Sequence, residues 1–322
     1  MTEQKTSGAP NRIARVTCIG GGMIGAGWAA HFMRAGLEVV VCDPAAERET
    51  FLREYLAKAM PSLAKLGMAP GASLTRVHFT TNMVEALKDT DFVQESGPEN
   101  IAKIKLIGKI DALTAPHVVI ASSSSGFLAA ELRRAVRHPE RILIGHPFNP
   151  PYLVPLVEIA GGDAAPQAAA TASEFYKSTG CEVVSLVREI AGYIGNRIQY
   201  AVLREILYIV SQGVADLQAI DTAIASGPAI RWAVMGASSA LFLGARNPTA
   251  YGDYAQDLAD EMERYLAPPD FQPDRQLMRA YGEQVLKGIG ANGQAELMVL
   301  RDTGVVAIRS ALQQAKENLR CV

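Results

Sequence analysis

Short apolar runs alternate with stretches of helical period over the first part of the chain, and beyond about residue 190 the short runs stop. Arg15–Ile19, Glu38–Cys42, Val77–Thr81, Asp91–Glu95, Pro116–Ala121, Arg141–Gly145 and Glu182–Leu186 read as strands. Between them, Trp28–Arg34, Glu47–Leu66, Met83–Leu87, a run ending at Leu113 and Pro166–Ser178 read as helices. From Glu189 onward nearly everything has helical period, beginning with the long amphipathic run Gly192–Gln212. The pattern predicts an α/β domain over residues 1–190 and an all-α domain over 191–322.

The first strand leads directly into Gly20-Gly-Gly-Met-Ile-Gly25, a G-x-G-x-x-G turn followed by a helix, a second strand and Asp43. Gly20 permits the tight turn, Gly22 lets the backbone approach a pyrophosphate, and Gly25 allows close helix–strand packing. Met23 and Ile24 complete the turn at a helix start whose free N–H groups favour phosphate. Strand, glycines, helix, strand and terminal acid in this order predict a Rossmann-type doubly wound sheet that binds a dinucleotide. Asp43 would accept from the adenosine ribose hydroxyls and repel a 2′-phosphate, favouring NAD; Arg48 is expected to face solvent.

The second chemical stretch is Gly145–Glu158, G-H-P-F-N-P-P-Y-L-V-P-L-V-E. His146 stands where a strand runs out, in a loop stiffened by Pro147, Pro150 and Pro151. Glu158 ends the next apolar run and can return beside the imidazole, as a general base requires. A core histidine bonded to a nearby acid is the bland alternative. Glu99, after the fourth strand, is either a nicotinamide-side contact or an acid suited to the first turn of a helix begun at Pro98. Ser122-Ser-Ser-Ser-Gly126 joins a strand to a helical segment and would hang hydroxyls over the crevice. His117, at the start of the fifth strand, and His138 are expected to be structural. Asn196 lies in the first turns of the long helix, on a face that Ile194 and Ile198 mark as partly buried.

Composition adds exclusions. At 322 residues with a formal charge of −2, the chain can bury a large core and has no basic excess for nucleic acid. Its first ten residues are polar, unlike a secretory leader, and no run is long enough to span a membrane. Cys18, Cys42, Cys181 and Cys321 have neither pairing nor metal-ligand spacing, so no metal is expected and a reducing, cytoplasmic location is.

Taken together, the nucleotide fold followed by S-x-x-S-G, H-P-F-N-P, L-V-E and G-Y-I-G-N-R resembles the L-3-hydroxyacyl-CoA dehydrogenase superfamily over almost the whole chain. The resemblance implies NAD as cofactor, an active site of Ser125, His146, Glu158 and Asn196, and an acid near nicotinamide at Glu99. Some members carry a lysine five positions after that acid, where this chain has Ile104. Arg231-Trp232 followed by Gly236, and Arg301-Asp302, look like the members that act on free acids, the L-carnitine and L-gulonate 3-dehydrogenases. Phe148 and Trp232 resemble the carnitine branch, which implies oxidation of a 3-hydroxyl. L-gulonate and acyl-CoA substrates are the alternatives, and outside catalysis a crystallin-like protein or an NAD sensor. Arg231 is the candidate for a substrate carboxylate, and Phe148, Tyr152, Tyr193 and Trp232 for a trimethylammonium group. The resemblance also implies a homodimer, to which the apolar runs Leu241–Leu243 and Leu297–Leu300 would contribute.

Overall fold

A computed structural model describes residues 13–244, 251–289 and 293–320. The chain divides into two compact units, the first running to Ile194 and including Val305–Ala307, the second taking Gly195–Gly304 and Ile308 onward. The boundary expected at 190/191 lies a few residues earlier than this division.

In the first unit, β1 (Arg15–Ile19), β2 (Glu38–Cys42), β3 (Val77–Thr80), β4 (Phe92–Glu95), β5 (Val119–Ser122), β6 (Ile142–Pro147), β7 (Leu156–Ala160) and β8 (Glu182–Ser185) form one sheet. Its order is β3-β2-β1-β4-β5-β6-β7-β8. The first six strands run parallel, β7 turns antiparallel to β6, and β8 runs with β7. The doubly wound sheet is therefore as expected. Strand order reverses between β1 and β4, so a crevice opens beyond their carboxyl ends.

Alternate residues of each strand serve opposite faces. Val39 and Val41 join Val16, Cys18 and Trp28 in one hydrophobic cluster, while Val40 and Cys42 join Ile19, Val93 and Ile107 in another. Covered on both sides, Val39–Cys42 have no solvent-facing position and read as a continuous apolar run. Helix α1 (Met23–Arg34) is buried over most of its surface, and Trp28 stacks on Phe32 and Tyr176 at ring centroid distances of 5.0 and 5.5 Å. Truncating such an aromatic to alanine costs about 3–5 kcal/mol. The helix begins at Met23, earlier than the Trp28 read from periodicity, because Gly22 in extended conformation is already its N-cap.

The fifth strand is shorter than expected. Pro116 and His117 sit in a turn closed by Val118 N donating to Ala115 O at 3.0 Å, and the ladder starts only at Val119. Proline cannot donate to a ladder, so the strand starts beyond it. Helix α2 (Arg48–Lys65), α3 (Met83–Leu87), α4 (Ala102–Leu113), α5 (Ala129–Leu132) and α6 (Pro166–Ser178) complete this unit. Arg48 is exposed, over the Phe51 ring.

The described residues of the second unit are helical: α7 (Gly195–Ser211), α8 (Leu217–Ser226), α9 (Pro228–Met235), α10 (Ala237–Phe242), α11 (Tyr251–Tyr265), α12 (Arg275–Ile289) and α13 (Gly293–Arg320). Helix α7 begins later than the Gly192 expected, because Gly192 (φ +76°) and Tyr193 (φ +49°) are left-handed. Ile194 and Ile198 are 49% and 59% exposed, so the buried face inferred from them is not there. Asp216 caps α8, its Oδ1 accepting from Ala219 N at 2.8 Å.

Among the described residues no helix is long and apolar enough to cross a membrane. Cys18, Cys42 and Cys181 are buried thiols outside any disulfide, while Cys321 and the polar start lie outside the described residues. Burial pushes the Cys42 thiol up to about 11, with Asp43 and Glu85 adding to the effect.

Candidate active site

The glycine turn at the end of β1 is shaped by what a side chain would strike. Gly20 adopts φ +101°, and a Cβ there would lie 2.6 Å from Ser96 O; at Gly25 it would lie 1.8 Å from Gly20 O. Gly22 differs, since a Cβ there meets nothing within 4 Å. Open space thus faces the residue at which a pyrophosphate must approach the backbone. Gly22 offers no side-chain cap and the first turn of α1 has no acid, which leaves its N–H groups for a phosphate. Asp43, half-buried at the end of β2, accepts from Gly21 N at 2.7 Å and from Ala45 N at 3.0 Å. It braces the turn and retains acceptor capacity for ribose hydroxyls. Met23 is 51% exposed beside the turn and meets Asn149 Nδ2 at 3.3 Å; Ile24 packs at the core edge. These residues fit a dinucleotide.

His146 lies near the end of β6, paired in register with Glu158 on β7. Both are buried, and Nδ1 lies 2.9 Å from Glu158 Oε2. A carboxylate only accepts, so Nδ1 carries the proton and the Nε2 lone pair is left for chemistry. Glu158 Oε1 is itself held by Ile194 N at 2.8 Å. The imidazole is walled by Phe148, edge-on at 5.7 Å, and by Tyr193 at 5.1 Å.

Tyr193 and Tyr152, both expected at the substrate, are placed otherwise. Tyr193 is fully buried and donates to Phe127 O at 2.6 Å, so its ring orients His146 and has no free face. Burial, reinforced by surrounding carboxylates led by Glu189, raises its hydroxyl pKa and keeps it protonated. Tyr152 is 4% exposed and packs in the core against Tyr55 at 5.9 Å. Phe148 is half-buried.

The serine run is fully committed except at one position. Ser122 Oγ donates to Glu95 Oε2 at 2.5 Å and Ser124 Oγ to Glu99 Oε1 at 2.5 Å. Ser123 Oγ takes bonds from Trp28 Nε1 at 3.1 Å and Gln94 Nε2 at 2.8 Å, and meets Ser96 Oγ. Ser125 is exposed. Glu99 does not start a helix, for α4 begins only at Ala102. Beneath it, Lys103 is buried with its ammonium 2.8 Å from Glu95 Oε1 and 3.4 Å from Glu99 Oε2. Ile104 packs against the second hydrophobic cluster. Lys103, Glu95 and Gln94 were not singled out from the sequence; the four-residue spacing from Glu99 to Lys103 is the one signal that could have found a pair.

Asn196, Arg231 and Trp232 belong to the second unit. Asn196 is half-buried in the first turn of α7, whereas Arg231 and Trp232 are exposed on α9, Trp232 at 37%.

The fold has known counterparts. The family model described as 3-hydroxyacyl-CoA dehydrogenase, NAD binding domain, matches residues 15–190, and that of the C-terminal domain matches 192–288. An L-carnitine dehydrogenase of Nocardiopsis dassonvillei is 41% identical over 321 residues, covering 98% of this chain and 96% of that protein. One from Streptomyces coelicolor is 40% identical over 308 residues, covering 94% of this chain and 96% of that protein. The solved structure of a 5-formyl-3-hydroxy-2-methylpyridine 4-carboxylic acid 5-dehydrogenase, an NAD+-dependent dismutase, has a TM-score of 0.83 at 30% identity, covering 94% of this chain and 99% of that one. With both domains present in order and an NAD-binding turn before a buried His–Glu pair, the chain is an NAD-dependent dehydrogenase and belongs to the 3-hydroxyacyl-CoA dehydrogenase family.

Proposed function

We propose that this dehydrogenase oxidises the 3-hydroxyl of L-carnitine to the ketone. The observation that carries the reading is the His146–Glu158 pair, in a chain 41% identical almost end to end to an L-carnitine dehydrogenase. His146 takes the hydroxyl proton at Nε2, and the imidazolium that results lies against Glu158. Bound NAD supplies the acceptor for the hydride from the carbinol carbon. The Gly20–Gly25 turn and Asp43 hold the dinucleotide. Ser125 and Asn196 donate to the reacting oxygen and polarise the carbonyl in the reverse direction, a type of contact commonly worth about 10²-fold in rate.

Substrate contacts are assigned by chemistry. Arg231 offers a guanidinium fork to the carboxylate. The trimethylammonium has no hydrogen to donate, so aromatic faces suit it, and with Tyr152 and Tyr193 buried this role falls to Phe148 and Trp232. The apolar side chains exposed at Leu241–Leu243 and Leu297–Leu300 support a symmetric homodimer, and the buried thiols fit a cytoplasmic setting.

The test is a comparison of kcat/KM for L-carnitine, L-gulonate and L-3-hydroxybutyrate with NAD. L-Carnitine should lead, and its neutral analogue, with carbon in place of the quaternary nitrogen, should lose about tenfold. A higher value for either competitor would overturn the assignment.

A further inference from the structure

One carboxylate oxygen holds both neighbours of Ser125. Glu99 Oε1 accepts from Ser124 Oγ at 2.5 Å and from Gly126 N at 2.8 Å. Ser124 Oγ also receives Phe127 N at 2.9 Å, which closes the loop on its far side. At Gly126 an added Cβ would lie 3.1 Å from Glu99 Oε1, so the carboxylate fills the space beside the loop.

Glu99 is in turn held from below. Lys103 lies four residues on, in the first turn of α4, buried, with Glu95 Oε1 and Oε2 at 2.8 and 3.0 Å, Gly97 O at 3.0 Å and Glu99 Oε2 at 3.4 Å. Its three donors are committed to this cluster, so the ammonium cannot swing out to solvent without leaving Glu95 buried and unpaired. Glu95 also receives Gly97 N at 2.6 Å and Ser122 Oγ at 2.5 Å. Burial pushes the Glu99 carboxyl up, but the bonds from Ser124, Gly126 and Lys103 outweigh it and hold it below its ordinary range. The exit of β4 thus grips Ser122, Ser124 and Gly126, and Ser125, between the last two, is left exposed.

We propose that Glu99, held by Lys103, is a positioning residue that fixes Ser124 and Gly126 and thereby aims Ser125 at the reacting oxygen. The inference rests on the proposed contact between Ser125 and the substrate. It differs from the expectation of a nicotinamide contact, in which Glu99 would act on the cofactor directly.

A double-mutant cycle on the full-length enzyme separates the two. Wild type, Glu99→Ala, Ser125→Ala and the double variant are compared for kcat with L-carnitine and for NAD dissociation constant by calorimetry, each after a thermal melt. Glu99→Ala should lower kcat by about ten- to a hundredfold, the range for a misplaced group. In the Ser125→Ala background the same change should cost less than about twofold, since the group it positions is gone. NAD affinity should hold in all four, and Glu99→Gln, whose Oε1 can still accept both bonds, should recover most of the loss. Equal losses in both backgrounds, or a matching fall in NAD affinity, would overturn the positioning role. So would a Gln variant as slow as the Ala variant. Wild-type kcat in Ser125→Ala alone would instead remove the assignment of Ser125 itself. If Glu99→Ala does not fold, Ser124→Ala takes its place in the cycle with the same expectations.

Discussion

His146 and Glu158 face each other as a register pair on antiparallel strands, and the 2.9 Å bond between them is buried at the end of the sheet. The turn from parallel to antiparallel at β6–β7 is what creates the pair. Placed on rigid strands, the imidazole needs little reorganisation to receive a proton.

Proton removal should therefore be separable from cofactor binding. His146→Gln is expected to lower kcat by about 10²–10⁴-fold while the NAD dissociation constant stays near wild type. Stopped-flow single turnovers together with NAD titration would check both halves. An unchanged kcat would end the assignment of His146 as base.

Tyr193 should behave as a support rather than a substrate contact. Tyr193→Phe keeps the ring on His146 but leaves Phe127 O without its donor, at a cost of about 1–3 kcal/mol in unfolding free energy. Tyr193→Ala also removes the wall, costing about 3–5 kcal/mol and lowering kcat. In the Phe variant the KM for L-carnitine should not move; a large rise there would mean that the ring meets substrate.

Asp43 carries two jobs that different substitutions divide. Asp43→Asn keeps an acceptor for Gly21 N yet drops the charge, so it should narrow the preference for NAD over NADP. Asp43→Ala should narrow it too and also raise the NAD dissociation constant, because the turn loses its brace. Competition titrations with both dinucleotides would read the effects. Equal use of the two by wild type would show that the acid does not face the ribose.

Acid stability should depend on Asp111. Burial pushes its carboxyl up, but Arg137 N–H and the Arg141 guanidinium, 2.7 Å away, outweigh that and hold it below the usual carboxylate range. The folded pKa is thus lower than the unfolded one. Its contribution is complete above about pH 4 and is lost as pH falls through the folded value. Asp111→Asn leaves Arg141 buried without a counter-charge and should cost about 3–5 kcal/mol at pH 7. The surviving bonds from Arg141 to Val118 O and Asp111 O favour the lower figure. Urea melts from pH 7 to pH 3 should show the gap to wild type closing on the acid side; a constant gap would refute the linkage.

The glycine turn, Asp43, His146, Glu158 and the helical second half were legible in the chain because each rests on local rules. Periodicity decides helix or strand, and a strand–glycine–helix order permits few conformations. What the tertiary structure alone decided was which side chains meet. Glu158 reaches His146 only because β7 reverses against β6. Tyr193, read as a substrate aromatic, turns inward because its left-handed backbone at the end of the first unit aims the ring at His146. Ser122 to Ser125 are identical as letters, yet three are held by residues of β4 and its exit or by Trp28, and one faces out. Lys103 is one of three lysines of α4 in the sequence, and only the fold encloses it between the carboxylates of Glu95 and Glu99. Local propensity acts through near neighbours, but burial and ion pairing are set by strands that are distant in sequence and adjacent in space.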